Sequence, residues 1–285
     1  MQYQAYEGVV MKKISIIGLG WLGMPLAKSL SYNGMQVVGS KTTPDGVEAA
    51  RMCGIECYLL QLEPQINCAS DDLEQLMTAD VLIITLPASR TAGGSYNYVK
   101  AVQLVVDTAL SYSVPRIIFT SSTSVYGIVA GKLNEDAPFC PETLSAQALV
   151  ELENWLHKLP NISVDILRLA GLVGSGRHAG RFLAGKKEVK GGDQPVNLVH
   201  QDDVISAINL LLQRPKGGHI YNLCAPIHPT KAEFYPKVSG QLNLIPPEFA
   251  REQTQVESKI VDGSRICKEL GFEYQYPDPG WMPMN

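Results

Sequence analysis

The chain has 285 residues, of which 45% are hydrophobic and 18% are charged. That balance is ordinary for a globular protein and is enough for one large α/β domain, or a domain with a smaller lobe. The net charge of -4 excludes a global basic field that would attract nucleic acid or an anionic membrane. No apolar run reaches the ~20 residues that span a bilayer and no signal-peptide pattern is present, so we expect a cytoplasmic protein.

The first predicted elements surround a glycine-rich turn. Residues 1–11 are expected to be a flexible extension, and the apolar run 14–17 then predicts a strand that ends at Gly18. Gly18, Gly20 and Gly23 follow in a G-x-G-x-x-G spacing, and the helical run 21–30 starts within it. Strand, turn and helix in this order are the context in which the spacing binds a dinucleotide.

Each glycine of this turn has a distinct predicted role. Gly18 makes the tight turn, Gly20 lets a pyrophosphate approach the backbone, and Gly23 lets the helix pack closely on the strand. The amides and the positive end of the helix then hold the phosphates. A glycine turn without a ligand is the alternative, but a second strand-like run at 35–39 arrives at the expected distance. The predicted cofactor contacts of the turn are Gly18, Gly20, Trp21, Leu22 and Gly23.

The residues at the end of the second strand predict which of the two dinucleotides, NAD or NADP, is bound. NAD-selective folds place an acidic residue there to accept from the ribose 2′-hydroxyl. This chain has Ser40, Lys41 and Thr42 instead, which suit a 2′-phosphate. We therefore expect NADP, with NAD as the alternative if Lys41 is only a solvated loop residue.

Helices and strands then alternate. The predicted helices are 44–52, 73–77 and 98–110, and the predicted strands are 55–60, 81–85 and 116–120. This alternation predicts an α/β, Rossmann-type doubly wound parallel sheet with its ligand at the carboxyl ends of the strands. Leu86 and Pro87 follow one of those strands, where a nicotinamide ribose passes in such folds, and are predicted to contact the cofactor.

The second half adds fewer regular elements. A helix is predicted at 142–156, a strand at 164–170, a helix ending near 212 and a strand at 219–223. No linker separates domains, so we expect a dinucleotide-binding core at 12–170 and a small C-terminal substrate lobe at 171–285, interleaved with the last strands of the core. The six cysteines show no paired C-x-x-C spacing, so reduced thiols and no metal are expected.

Three later segments are distinctive: Ser-Ser-x-x-Val-Tyr-Gly at 121–127, Leu-Arg-Leu-Ala-Gly-Leu-Val-Gly-x-Gly-Arg at 167–177, and Asn-Leu-Val-His-x-Asp-Asp-Val at 197–204. With the glycine turn, they resemble the extended and atypical short-chain dehydrogenase/reductases, the family of NAD-dependent epimerases and dehydratases. The resemblance covers about residues 12–275. It implies an NAD(P)-dependent oxidoreductase or epimerase-like enzyme with a small-molecule substrate, for which a nucleotide sugar is one candidate.

The resemblance also implies roles for individual residues. Ser122, four positions before Tyr126, matches the family's catalytic serine or threonine, which hydrogen-bonds the reacting oxygen. Arg177 matches an arginine that grips a substrate phosphate, a task that suits its planar fork. The implied substrate contacts are Thr123, Arg177, His178 and Arg181. The alternatives are a serine that satisfies nearby backbone and loop charges that are merely solvated.

The third segment is expected to be structural. In the resembling family, Asn197 and His200 lie in a stretch that ties loops together without touching substrate. Asp203 begins a predicted helix, so we expect it to be a cap or a structural hydrogen-bonding group rather than a catalyst.

The chain departs from the family at the catalytic Tyr-x-x-x-Lys pair. Aligning Glu153 to Leu156 with the family's Glu-x-x-Leu motif places Ser145 and Leu149 at the two positions, and a shift of two gives Thr143 and Gln147. A phenol with a pKa near ~10 needs a neighbouring cation to exchange protons at neutral pH. Two interpretations stay open: an enzyme in which Ser122, water or a substrate group handles the proton, and a catalytically impaired protein that senses a dinucleotide or metabolite.

Two apolar stripes bear on assembly. They lie on predicted helices at 98–110 and 149–156, the helices that pair across dimers in the resembling family. A homodimer is therefore expected, although the same stripes would also serve to cover the sheet of a single chain.

Overall fold

The structure is a computed structural model that describes residues 12–62, 65–88, 92–250 and 258–284. The expected extension at 1–11 lies outside these residues. The chain forms two compact units, the first from Met1–Leu86 and Lys100–Ile118, the second from Pro87–Val99 and Phe119–Asn285. The division into a core at 12–170 and a lobe at 171–285 stays a prediction.

The strands are β1 (Lys13–Ile17), β2 (Gln36–Lys41), β3 (Glu56–Leu59), β4 (Val81–Ile84), β5 (Arg116–Ser122), β6 (Gly131–Leu133), β7 (Ser163–Leu169), β8 (Gly171–Val173), β9 (Leu198–His200), β10 (Ile220–Leu223) and β11 (Lys259–Val261). The helices are α1 (Gly23–Tyr32), α2 (Pro44–Met52), α3 (Ser70–Met77), α4 (Ala92–Ser111), α5 (Leu144–Leu156), α6 (Gln201–Leu212), α7 (Lys231–Gln241) and α8 (Arg265–Leu270). Short 3-10 helices add Thr123–Tyr126, Ala179–Arg181 and Pro279–Trp281.

Seven strands form one parallel sheet in the order β3-β2-β1-β4-β5-β7-β10. The pairs β1 with β2, β1 with β4, β2 with β3 and β7 with β10 all run parallel. The order reverses between β1 and β4, which is the switch point at which such sheets bind ligands. The predicted α/β, Rossmann-type doubly wound fold is therefore confirmed.

Burial explains why the central strands are continuous apolar runs. All four residues of β4 and the last four of β1 are buried, because a parallel sheet is covered on both faces. The first strands were accordingly predicted almost to the residue.

Helix ends depart from the predictions for identifiable reasons. The structure begins α4 six residues before the predicted start, in a stretch containing Gly93 and Gly94, which are weak helix formers. It begins α5 at Leu144 because the Thr143 side chain caps the helix by accepting from the Ala146 amide. No helix was predicted at α7, which contains Pro236 yet starts with a capping box.

Two small parallel sheets were also not predicted. They pair β6 with β11 and β8 with β9, and each strand has three residues, too few for a hydrophobic period to be recognised. Both sheets belong to the second unit. None of the helices in the described part of the chain is long and apolar enough to cross a membrane.

Candidate functional site

The glycine turn is held rigidly in the first unit. Gly18 has a φ of 103°, a left-handed conformation that favours glycine. Its amide donates to the Ser40 hydroxyl at 3.1 Å, and its carbonyl accepts from the Thr85 hydroxyl at 2.6 Å. The Leu19 amide donates to the Ser40 carbonyl at 2.9 Å. The turn is therefore tied to Ser40 at the end of β2 and to Thr85 after β4, and these contacts fix its shape.

Gly20 and Gly23 need glycine for different reasons. A Cβ at Gly23 would lie 2.1 Å from the Gly18 carbonyl oxygen, so a side chain there would push α1 off the turn. A Cβ at Gly20 would meet no atom within 4 Å, and Gly20 is exposed. Packing thus requires Gly23, whereas the space at Gly20 is open to a ligand.

The start of α1 fits a phosphate group. Leu22 precedes the helix without a side-chain capping bond, and the first turn has no acidic residue, so no carboxylate opposes an anion at this positive end. Leu22 is buried and Trp21 is half-buried. Leu86 is half-buried beside Gly18, and Pro87 is exposed. The residues present therefore fit the pyrophosphate part of a dinucleotide.

Ser40 has a structural role that the sequence did not predict. It is 3% exposed, and its hydroxyl and carbonyl both accept from the glycine turn. Lys41 is half-buried at the end of β2, and Thr42 is exposed. The Lys41 side chain lies near Gly46 in the first turn of α2, where Asp45 is also found. Contact of all three predicted residues with a cofactor stays a prediction.

In the second unit, the hydroxyl-rich segment at 120–124 begins with the last residues of β5. Ser122 is half-buried, and its Oγ accepts from the Ser124 amide at 3.1 Å. Among the described residues, no acceptor takes the Ser122 hydroxyl proton, which is thus available for donation. Thr123 is 6% exposed and starts the 3-10 helix. The structure therefore shows the local backbone contact considered for Ser122, and this contact leaves its donor function intact.

A buried ionic network lies directly beside Ser122. Arg168 donates to one Glu153 oxygen through two nitrogens, at 2.7 and 2.9 Å, and Ser121 donates to the other oxygen at 2.5 Å. Arg168 also donates to the Tyr126 hydroxyl at 2.7 Å, and Tyr126 donates to Asn222 at 2.8 Å. The network joins α5 to β5, β7 and β10. The sequence motifs predicted no role for Arg168.

Tyr126 is unsuited to general acid catalysis. Its side chain is fully buried, and its hydroxyl is committed to Arg168 and Asn222. Burial raises the pKa of Tyr126, and this effect outweighs the lowering by Arg168. The phenol therefore has a structural role.

The start of α5 offers no replacement for the missing pair. Thr143 caps the helix and lies 3.1 Å from the Ser145 hydroxyl, oxygen to oxygen. Leu149 is buried and Gln147 is exposed. Neither alignment considered for the Tyr-x-x-x-Lys motif places an acid next to a cation.

The residues of the predicted substrate loop differ in role: His178 supports the backbone, and Arg177 and Arg181 carry positive charge. His178 is buried, and its Nδ1 accepts from the Gly180 amide at 3.0 Å. Burial lowers the pKa of His178, and Arg181 lowers it further, so the ring is neutral at pH 7. Arg177 and Arg181 are exposed. The loop therefore presents positive charge through its arginines, with His178 supporting the backbone.

Asn197, His200 and Asp203 have the structural roles expected of them. Asn197 accepts from a β11 amide at 2.8 Å and donates to a β11 carbonyl at 2.9 Å. His200 Nε2 donates to the Pro283 carbonyl at 2.7 Å. Asp203 accepts from two consecutive backbone amides at 2.6 and 3.3 Å. All three tie C-terminal segments of the second unit to the rest of that unit.

A lysine from β11 also reaches the hydroxyl-rich segment. The Lys259 ammonium donates to the Gly127 carbonyl at 2.7 Å and to the Thr123 carbonyl at 3.4 Å. No motif marks Lys259 in the sequence, because it is more than 130 residues from Thr123 along the chain. Only the folded chain brings the two segments together.

Comparison with known proteins agrees with this architecture. The chain matches the model of the NAD dependent epimerase/dehydratase family over residues 14–224. It is 62% identical over 275 residues to protein YeeZ of Escherichia coli (strain K12), covering 96% of this chain and 100% of that protein.

Solved structures show the same fold at lower identity. A functionally unknown conserved protein from Silicibacter pomeroyi has a TM-score of 0.75 and 22% identity, with 95% of this chain and 96% of that one covered. A UDP-glucose 4-epimerase has a TM-score of 0.75 and 19% identity, with 93% of each chain covered. The Bordetella bronchiseptica enzyme WbmG in complex with NAD and UDP has a TM-score of 0.73 and 19% identity, with 95% and 92% covered.

Arg168→Met is expected to lower the free energy of unfolding by about 3–5 kcal/mol, because it leaves the buried Glu153 carboxylate without its cation. Lys187→Met is the control, since Lys187 pairs with Glu248 at 3.7 Å where both side chains are exposed. Its expected cost is about 0–1 kcal/mol. Urea unfolding of the two variants measures the difference, and equal costs would contradict the structural role of the buried pair.

Proposed function

Because the chain belongs to the NAD-dependent epimerase/dehydratase family, we propose that it is an NADP-dependent oxidoreductase or epimerase-like enzyme that acts on a nucleotide sugar. The glycine turn carries this proposal. Its contacts to Ser40 and Thr85 fix the backbone, and the space at Gly20 is open. This is the combination that close approach of a pyrophosphate requires.

The chain's own residues divide the task of holding the cofactor. The turn from Gly18 to Gly23 would hold the pyrophosphate, Lys41 and Thr42 would contact the 2′-phosphate, and Leu86 with Pro87 would lie along the nicotinamide ribose. When bound, the nicotinamide would accept or donate the hydride. Lys41 supports NADP because its side chain lies by the first turn of α2, but Asp45 in that turn could serve a ribose hydroxyl instead.

Ser122 is the proposed catalytic residue. Its Oγ accepts from the Ser124 amide, and this bond orients the hydroxyl while leaving its proton available for a substrate oxygen. Thr123 is proposed to contact substrate beside it. Since α5 lacks the family's tyrosine and lysine, Ser122, water or a substrate group must take part in proton transfer.

The two exposed arginines support a phosphorylated substrate. Arg177 and Arg181 carry guanidinium groups that suit bidentate contacts to phosphate oxygens. His178 is neutral and buried, so we assign it to support of this loop rather than to charge recognition. A nucleoside diphosphate linked to a sugar is the substrate class that these groups favour.

A sensor protein is the second candidate function. The observation that favours it is the burial of Tyr126, together with the absence of a tyrosine and lysine pair on α5. In this alternative, the dinucleotide binds at the glycine turn but no hydride is transferred. Binding and turnover therefore have to be measured separately.

The burial of the two apolar stripes bears on the expected homodimer. The apolar stripe of α4 is at most 6% exposed at Val99, Val102, Val105, Val106 and Ala109, and Leu149, Leu152 and Leu156 of α5 are at most 5% exposed. These side chains are thus already buried within a single chain. The dimer stays a prediction that these stripes no longer favour.

Gly20→Val is expected to abolish dinucleotide binding, because its side chain would fill the open space beside the turn. Gly240→Val is the control, since a Cβ at Gly240 also meets no atom within 4 Å and lies far along the chain in α7. Calorimetric titration with NADPH and NADH measures both. Equal affinity in folded Gly20→Val and unmodified protein would reject the assignment of the turn.

Unmodified protein is expected to bind NADPH more tightly than NADH, and Lys41→Ala to remove the preference. A charge-assisted contact to the 2′-phosphate contributes about 1.5–3 kcal/mol, roughly tenfold or more in affinity. Asp45→Asn is the opposing variant and should leave the preference intact or increase it. A preference for NADH that Asp45→Asn reverses would assign the site to NAD.

Turnover of UDP-glucose or UDP-glucuronic acid is expected to be slow, because the chain lacks the family's catalytic tyrosine. General acid–base catalysis by such a residue contributes about 10²–10⁴-fold to the rate. Ser122→Ala should remove the residual activity without changing cofactor affinity. Ser124→Ala removes a neighbouring hydroxyl but keeps the amide that Ser122 uses, and should stay active. Absorbance of the bound nicotinamide reports the reaction, and full activity in Ser122→Ala would refute its role.

A further inference from the structure

Lys259 holds the segment that contains the proposed catalytic serine. Its ammonium bridges the carbonyls of Thr123 and Gly127, the first residue of the 3-10 helix and the residue that caps its end. An ammonium group has three N–H donors. With two directed at these carbonyls, one donor remains for another acceptor.

The backbone around Lys259 is well anchored. The strand β11 pairs in parallel with β6, and Lys259 lies opposite Gly131 in the register. The Asn197 side chain donates to the Lys259 carbonyl at 2.9 Å. The position of the ammonium is thus set by a strand and a side-chain clamp, so it is preorganised.

Lys259 is not in direct contact with a carboxylate in the described part of the chain. No ion pair there includes it, whereas Lys132 on the paired strand forms one with Asp262 at 3.2 Å. Burial lowers the pKa of Lys259, and the charges of Glu142 and Cys224 raise it only in part. A half-buried cation that is hydrogen-bonded to carbonyl oxygens, with no carboxylate in direct contact, has an electrostatic cost that an anionic ligand would relieve.

We propose that Lys259 binds a negatively charged oxygen of the substrate beside Ser122 and Thr123. This inference rests on the proposed function and deepens it, since it assigns a cation to the substrate site in the second unit. A fixed ammonium bound to the segment that carries a hydroxyl donor is an arrangement that suits stabilisation of negative charge on a reacting oxygen. Lys259 would thereby supply, from the C-terminal part of the chain, a positive charge that α5 does not provide.

The test observes Lys259 directly in the protein without cofactor. The side-chain Cε signals of 13C-labelled lysine are followed by NMR while sodium formate, the smallest carboxylate, is added. The Lys259 signal is assigned by its loss in Lys259→Arg. We expect it to shift and saturate with formate and its pKa to rise, because the anion binds the charged form. Sodium chloride at equal ionic strength should not reproduce the shift.

Variants separate binding from a purely structural clamp. Lys259→Met should weaken formate binding at least tenfold, followed through the Thr123 and Ser124 amide signals, whereas Lys259→Arg should retain it. Lys132→Met, which removes a charge from the neighbouring strand, should bind like the unmodified protein. If Lys259→Met does not fold, the titration of unmodified protein decides alone. A Lys259 signal and pKa that formate leaves unchanged would overturn the inference.

The response of Lys259 to formate is expected to be independent of dinucleotide binding. Gly20→Val, which tests the cofactor site, lies in the first unit and should leave the response of Lys259 to formate unchanged. A formate response in a protein that binds no dinucleotide would therefore reject the proposed function and keep the anion site. A protein that binds dinucleotide but whose Lys259 signal does not respond to formate would reject the anion site alone.

Discussion

The buried pair of Glu153 and Arg168 is the interaction on which the second unit depends. Two opposite charges removed from water are stable only when their geometry and remaining hydrogen bonds are satisfied. Here two guanidinium nitrogens meet one carboxylate oxygen, and Ser121 and Tyr126 complete the shell. The pair thereby joins one helix to three strands of the sheet, and it fixes the backbone that presents Ser122.

In the first unit, the main constraint is the close packing of the backbone at the glycine turn rather than a buried pair of charges. Gly23 has to lack a side chain because α1 begins against the Gly18 carbonyl, and Ser40 and Thr85 lock the same turn through hydrogen bonds. Gly20 is under no such packing constraint. That contrast separates a glycine that packing requires from one beside which the space is open, although both belong to one sequence motif.

The arrangement of residues in the second unit differs from what its motifs imply. The only phenol in the Val-Tyr-Gly segment is sequestered by Arg168 and Asn222, and α5 carries no tyrosine and lysine pair. Ser122 retains a usable proton. Lys259, held on the carbonyls of Thr123 and Gly127, brings a positive charge to the same segment. A site of this kind suits stabilisation of a negatively charged oxygen more than proton exchange by a phenol.

The sequence by itself determined the fold class and the glycine turn, because both rest on local periods and spacings: continuous apolar strands, alternating helices, and three glycines between a strand and a helix. It also predicted that Asp203 is structural. Tertiary structure decided the burial of Ser40, the partnership of Arg168 with Glu153, and the arrival of Lys259 beside Thr123. These contacts join residues far apart in the chain, and no local pattern encodes such proximity. Short strands such as β6 and β11 escaped prediction for the same reason, since their pairing with each other, rather than any hydrophobic period, defines them.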